Sequence, residues 1–159
     1  MKAVPGTVCV ALCLVQSTLA QDQYSFVPRI DFECGGTRVS IDSAPKGFRS
    51  PEEAYAKAGQ SVQAQLVLVR GESRVVFQSW GAIDYIGGEC VADSKGRPHI
   101  VYQAKCGGSG CLESNWGIID ATSLREILKP AGENTARATE ILGATPRPIS
   151  RFVSLFAAQ

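Results

Sequence analysis

The chain has 159 residues, of which 45% are hydrophobic and 19% are charged, and its 16 basic residues nearly balance its 15 acidic ones. This balance gives no electrostatic reason to expect a nucleic acid or an anionic membrane surface as a partner, so we predict neither. The length suits one domain with a hydrophobic core of its own.

Residues 1–20 have the pattern of a signal peptide for export. Lys2 supplies a positive charge, residues 8–15 form an apolar run, and the segment closes on small side chains at Ala20. We expect cleavage after Ala20, which leaves a single domain at 21–159. The apolar run is too short to cross a bilayer, and no later window reaches the roughly 20 apolar residues that a span needs, so no membrane span is predicted.

The cysteines point to disulfides. Cys9 and Cys13 leave with the signal peptide, and lipid attachment at either is a weaker alternative because the small residues around them are poorly spaced. The mature chain keeps Cys34, Cys90, Cys106 and Cys111. An even count in an exported chain predicts two disulfides, for which three connectivities exist. We favour Cys106–Cys111 and, by elimination, Cys34–Cys90.

The first predicted elements are short. Apolar residues between Phe32 and Ile41 predict one or two strands broken at Gly35-Gly36. Residues 50–53 (Ser-Pro-Glu-Glu) then have the pattern of a helix start, and Gly59 is the expected end of that helix.

Five apolar segments rich in β-branched residues predict strands. They are residues 62–70, 75–80, 83–91, 98–106 and 116–120. Turn residues at 71–73 and 93–96 join the first four into two hairpins, and the fifth segment extends the second hairpin into a meander. The short segment between the last two strands is therefore expected at an exposed end of a sheet, where binding loops commonly lie.

The spacing of apolar residues changes after Asp120 from a strand pattern to a helix pattern. Residues 123–126 (Ser-Leu-Arg-Glu) have the pattern of a capping box, and Pro130 ends the short helix predicted there. Residues 134–142 predict another helix, capped by Gly143, and residues 149–156 predict a last edge strand or a docked tail. The expected fold is mainly β, with antiparallel meander sheets and about three short peripheral helices.

The glycine loop, Cys106-Gly107-Gly108-Ser109-Gly110-Cys111, is the candidate site. One interpretation is a disulfide-stapled turn without a function. The other is a preformed tip for insertion into a cleft, since a rigid loop loses little entropy on binding. Ser109 would then be the contact residue, with the polar residues Glu113, Ser114 and Asn115 as its rim.

A serine hydrolase is a weaker hypothesis. The nucleophile-elbow pattern requires glycine where Cys111 stands, and a helix where a strand is predicted. His99 is the single histidine and would have to act as the base for Ser109. One of three aspartates could orient it, namely Asp84, Asp93 or Asp120. We expect His99 instead to be a solvated residue or one on a strand surface.

Two other site classes have some support. The four mature cysteines could hold zinc, but an oxidising compartment favours disulfides, so no metal is predicted. Four aromatic rings could form a stacking face for a saccharide or peptidoglycan. They are Trp80, Trp116, Tyr85 and Tyr102. We favour the alternative in which these rings belong to the core or to half-buried sheet positions.

A small exported β-rich domain with a serine-bearing glycine loop resembles the periplasmic immunity proteins that neutralise peptidoglycan amidases delivered by type VI secretion. Members of that family insert a serine loop into the Cys-His active site of the amidase. The resemblance covers residues 106–120 and the overall plan. It implies that Ser109, with Gly108 and Gly110, approaches the catalytic pair of such a partner. It further implies a periplasmic inhibitor that is not an enzyme, needs no cofactor and has sheets arranged somewhat like a small propeller.

Overall fold

The computed structural model describes residues 25–27, 29–42, 64–77, 85–105 and 115–154. Over these ranges ten strands form two sheets, accompanied by one helix. The mainly β fold expected from the sequence is confirmed. Three predicted features lie outside the described residues, namely the signal peptide at 1–20, the helix at 50–59 and the glycine loop at 106–111.

The elements follow one another along the chain. They are β1 (Ser25–Val27), β2 (Arg29–Cys34), β3 (Thr37–Asp42), β4 (Gln65–Arg70), β5 (Ser73–Phe77), β6 (Tyr85–Ala92), β7 (Pro98–Lys105), β8 (Trp116–Asp120), β9 (Glu126–Leu128), α1 (Thr135–Leu142) and β10 (Arg151–Ser154).

The smaller sheet has the order β2-β3-β4-β5, and every neighbouring pair is antiparallel. Gly35 and Gly36 form the two-residue turn between β2 and β3 with φ angles of 56° and 80°. Positive φ at both positions is the geometry of a tight hairpin turn, and glycine adopts it without strain. The strand break predicted at this pair is therefore a hairpin.

The larger sheet has the order β1-β10-β6-β7-β8-β9. Strands β6 to β8 form the predicted antiparallel meander, and β9, which was not predicted, extends it. The predicted last strand exists as β10, but it does not lie at an edge as expected. It pairs antiparallel with β6 on one side and parallel with β1 on the other. Pairing between the two ends of the chain leaves no local signal, so the sequence could not indicate it.

The two sheets enclose one core, and α1 covers the outer face of the larger sheet. Along β7, Ile100 and Tyr102 face the smaller sheet, whereas Val101 packs with Ala138 and Leu142 of α1. Strand β7 is thus buried on both faces and lies at the centre of the molecule. The described strands form two stacked sheets rather than radial blades.

A disulfide links the sheets. Cys34 of β2 and Cys90 of β6 are bonded, with their Cα atoms 5.2 Å apart. This confirms one of the two predicted pairings. Because both sulfurs are in a disulfide, neither can serve as a thiolate ligand, and a zinc site built from Cys34, Cys90, Cys106 and Cys111 is excluded.

The helix predicted from Ser123 is wrong. Asp120 Oδ1 accepts hydrogen bonds from the backbone N–H groups of Thr122 and Ser123 and from the Ser123 hydroxyl, which closes a turn. These hydrogen bonds hold the pKa of Asp120 below its ordinary value, and the bond from the Ser123 N–H contributes most. Glu126 accepts a hydrogen bond from the buried Tyr102 hydroxyl at 2.5 Å. Both residues of the capping box therefore bind other groups, and β9 begins where the helix was expected.

Candidate functional site

The structure describes the two stems of the candidate loop. Six of the predicted contact and rim residues lie in the segment 106–114, outside the described residues, together with Cys106 and Cys111. They are Gly107, Gly108, Ser109, Gly110, Glu113 and Ser114. The segment leaves β7 after Lys105 and returns at Asn115, just before β8.

The stems are adjacent. Gln103 of β7 lies opposite Trp116 of β8 in the antiparallel register. Antiparallel partners have Cα atoms about 5 Å apart, so the described residues on the two sides of segment 106–114 lie close together. The two stems also belong to the best-buried part of the sheet, since Ala104 is 3% exposed and Trp116 is 4% exposed. A segment attached in this way has both ends fixed by the core.

Asn115 was predicted to lie on the polar rim of the loop. Its Nδ2 donates a 2.5 Å hydrogen bond to the carbonyl oxygen of Ala104, across the gap between the stems. Its Oδ1 is buried and has no hydrogen-bond partner among the described residues. The side chain thus adds one hydrogen bond between β7 and β8 beyond their last backbone pair, Gln103 and Trp116.

Asn134 holds the second stem from the opposite side. Its Oδ1 accepts a 2.7 Å hydrogen bond from the Trp116 N–H, and its Nδ2 donates to the Trp116 carbonyl at 2.8 Å. The Trp116 indole N–H donates to the Thr135 hydroxyl at 3.3 Å. The first residue of β8 is therefore fixed through its backbone and its side chain. The sequence pattern placed Asn134 only at the start of a helix and gave no sign of this contact.

Other residues come together at the same end of the larger sheet. Tyr85 of β6 lies opposite Lys105 of β7 in the register. The Lys105 ammonium lies 5.1 Å from the centre of the Phe152 ring, which is within cation–π distance. The aromatic ring covers the cation on one side of the first stem, and Tyr85 is half-buried beside it.

The structure corrects the prediction for His99. Far from being solvated, His99 is 1% exposed, and its Nε2 lies 3.3 Å from Oδ2 of Asp93, one of the three aspartates considered as partners. Lys105 lies six positions after His99 on β7, or about 20 Å along the strand. His99 is buried at the far end of β7 from the stems.

Asp93 organises the turn between β6 and β7. Its carboxylate accepts four hydrogen bonds, from the backbone N–H groups of Lys95 and Arg97, from the Arg97 guanidinium and from His99. Burial on its own would raise the pKa of the Asp93 carboxyl. The hydrogen bonds, those from Arg97 foremost, outweigh burial and hold the pKa of Asp93 well below its ordinary range. The ionised carboxylate is therefore part of the folded structure.

Asp93→Asn is expected to lower the free energy of unfolding near neutral pH, and the difference from wild type should shrink in acid. The folded-state pKa of Asp93 lies below the unfolded value of about 4, so the carboxylate stabilises the fold fully above that pH and progressively less below it. Urea unfolding of both proteins from about pH 7 down to pH 2 measures this, with Glu72→Gln in an exposed turn as the control. A difference that does not change with pH would contradict this role.

Two of the four rings predicted to form a stacking face are buried. Tyr102 is 0% exposed and Trp116 is 4% exposed, and both belong to the core. Tyr85 is half-buried, and Trp80 lies outside the described residues. The alternative favoured from the sequence, in which these rings fill the core, holds for Tyr102 and Trp116.

Comparison with known proteins gives no assignment, since no family model, curated protein or solved structure matches the chain. Within the described ranges, no helix is long and apolar enough to cross a membrane. In the same part of the chain, no three side chains of the metal-binding types come together.

Proposed function

We propose that the chain is a periplasmic immunity protein that blocks the active site of a secreted peptidoglycan amidase of the Cys-His class. The observation that carries the proposal is the attachment of segment 106–114 to two adjacent, buried strands. Its stems are joined by Asn115 and held from outside by Asn134. A loop whose two ends are held by a rigid scaffold is suited to binding, because the fixed ends reduce the conformational entropy that is lost at contact.

The mechanism is steric occlusion. The tip enters the substrate cleft, Gly108 and Gly110 let its backbone approach closely, and the Ser109 hydroxyl donates and accepts a hydrogen bond at the catalytic cysteine and histidine. Glu113 and Ser114 form the polar rim. Because Ser109 presents a side chain and no scissile peptide, the inhibitor is not consumed.

Export is the second part of the proposal. Disulfides persist in oxidising compartments such as the periplasm, and the Cys34–Cys90 bond supports this location together with the signal-like residues 1–20. A second disulfide at Cys106–Cys111 would close the glycine loop and keep its tip in one shape. The target cleaves peptidoglycan in the same compartment, so inhibitor and enzyme can meet after export.

The test is capture from periplasmic and secreted extracts with the oxidised wild-type chain and a Ser109→Arg chain as paired baits. We expect the wild type to retain a stoichiometric peptidoglycan amidase that the variant does not retain, because a long cationic side chain cannot enter the cleft. Retention by both baits would reject the role of Ser109. If the wild type retains no amidase and sediments with purified peptidoglycan, the proposal fails and a saccharide-binding module replaces it. Labelling of Ser109 by a fluorophosphonate would instead reveal a hydrolase.

A further inference from the structure

The smaller sheet has an inner face in the core and an outer face that is partly exposed. Side chains alternate along its strands, so that Val39 and Leu66 are buried in the core while Arg38 and Val67 lie on the outer face. A shallow open cavity of about 530 Å³ runs along this outer face, and its described lining residues all belong to β2, β3, β4 and β5.

The middle of the outer face is apolar. Val67 of β4 lies opposite Val76 of β5, Val69 follows two positions later on β4, and all three are half-buried. The small polar residue Ser40 lies opposite Val67 on the other side. Charged residues occupy the positions around this centre. An apolar centre within a polar rim is the usual plan of a protein–protein interface.

The charges on β2 and β3 form two cross-strand pairs in which the order of signs is reversed. Near the β2–β3 turn, Glu33 of β2 lies opposite Arg38 of β3. At the other end of the strands, Arg29 of β2 lies opposite Asp42 of β3, and their charged groups are 3.8 Å apart. The turn end therefore has its negative charge on β2 and its positive charge on β3, whereas the other end has the opposite arrangement.

This pattern is complementary to itself. A two-fold axis that lies between two outer faces, perpendicular to the strands, places the turn end of each sheet over the other end of its partner. Glu33 then faces Arg29 of the second copy, and Arg38 faces Asp42. Each contact occurs twice, because a two-fold interface uses the same surface on both copies. Stacked sheets lie about 10 Å apart, so side chains from both faces can meet between them.

We propose that two copies of this chain associate reversibly through the outer faces of their smaller sheets. The charge pattern favours a second copy as the occupant, since all four charges of the two cross-strand pairs meet an opposite charge. Two further charges, Asp31 and Arg74, lie on the edge strands β2 and β5 and hence at the rim. Asp31 is also paired with Arg29 of its own chain at 2.7 Å.

The size of the face sets the strength of the association. Four strands of about six residues cover roughly 20 Å by 20 Å. This area is smaller than the approximately 800 Å² that each partner buries in a typical stable complex. The dimer is therefore weak and depends on protein concentration. The inference is independent of the proposed function.

Sedimentation equilibrium of the oxidised chain, from about 10 µM to about 1 mM, tests the inference. We expect a monomer–dimer equilibrium in the wild type. Added salt should weaken the dimer, because the facing charges lie near the rim and are screened by ions.

Arg38→Glu and Asp42→Lys are the decisive variants. Each places like charges at both symmetric contacts, so each alone should dimerise at least about tenfold more weakly than the wild type. An equimolar mixture of the two variants should recover dimers. In the mixed dimer the introduced glutamate faces the introduced lysine, and the native Asp42 of one chain faces the native Arg38 of the other. Arg125→Glu, at an exposed position before β9, is the matched control and should dimerise like the wild type.

The outcomes separate this surface from others. A wild-type chain that stays monomeric up to about 1 mM would overturn the inference. A dimer that neither charge reversal weakens, or a mixture that stays monomeric, would also overturn it, because the association would then use another surface. If the wild type is monomeric and Arg38→Glu loses a protein that the wild type captures, the face belongs to that protein and the inference fails.

Discussion

Replacing Cys34 and Cys90 together by alanine is expected to lower the free energy of unfolding by about 4 kcal/mol. The bond joins residues separated by 56 positions, so it removes much conformational freedom from the unfolded chain. In the chain-entropy model the benefit of a cross-link grows with the length of the loop that it closes. The link also connects β2 of the smaller sheet to β6 of the larger one, so its loss weakens the contact between the layers.

Urea unfolding of the double variant and the oxidised wild type measures this effect. The slope of unfolding free energy against urea should rise in the variant, because an unfolded chain without the cross-link exposes more surface. Cys106→Ala with Cys111→Ala, which removes the predicted short bond, is the matched control, and it should cost about half as much stability because that bond would close a much shorter loop. A loss below about 1 kcal/mol for the Cys34 and Cys90 pair would contradict the argument from loop length.

Gly117→Ala is expected to destabilise the fold by about 3 kcal/mol, at the upper end for overpacking in a core. A Cβ atom at position 117 would lie 2.2 Å from the Cε1 and Cζ atoms of Tyr102, directly opposite on β7. The Tyr102 ring cannot move aside easily, because it is 0% exposed and its hydroxyl is held by Glu126. The strand that would shift is β8, which carries the second stem of the candidate loop.

A double-mutant cycle isolates this clash. Tyr102→Leu removes the ring, so adding Gly117→Ala to that background should cost far less than it does in the wild type. Thermal or urea unfolding of the four proteins gives the coupling free energy. Additive losses would show that the ring is not the obstacle and would contradict the packing described for this pair.

The sequence predicted the elements whose causes are local. The strand break at Gly35-Gly36 and the hairpin turn at residues 93–96 depend on the residues in the turn itself, and the helix ending at Gly143 depends on its own cap. The helix predicted from Ser123 is replaced by a turn and β9, and part of the cause is distant in sequence. Glu126 binds Tyr102, which is 24 positions away, and no local pattern indicates that contact.

The candidate site also combines features with local causes and features with distant ones. The glycine loop was recognisable from composition, whereas the residues that fix its stems were not. Asn134 lies 18 positions from Trp116, and an asparagine before a helix indicates only a helix N-cap. His99 was misplaced for a similar reason, since an isolated histidine in a strand gives no sign of the buried Asp93 that binds it. In both cases the partner is defined by tertiary structure, which a single sequence does not display.

The proposed function depends most on the contact between Ser109 and the active site of an amidase. The most direct test is a titration of amidase activity on purified peptidoglycan with increasing amounts of the oxidised chain. We predict that the wild type abolishes hydrolysis at one equivalent, and that Ser109→Arg, with an unchanged unfolding transition, leaves hydrolysis intact. Full inhibition by Ser109→Arg would contradict the role of Ser109, and no inhibition by the wild type would contradict the proposed function.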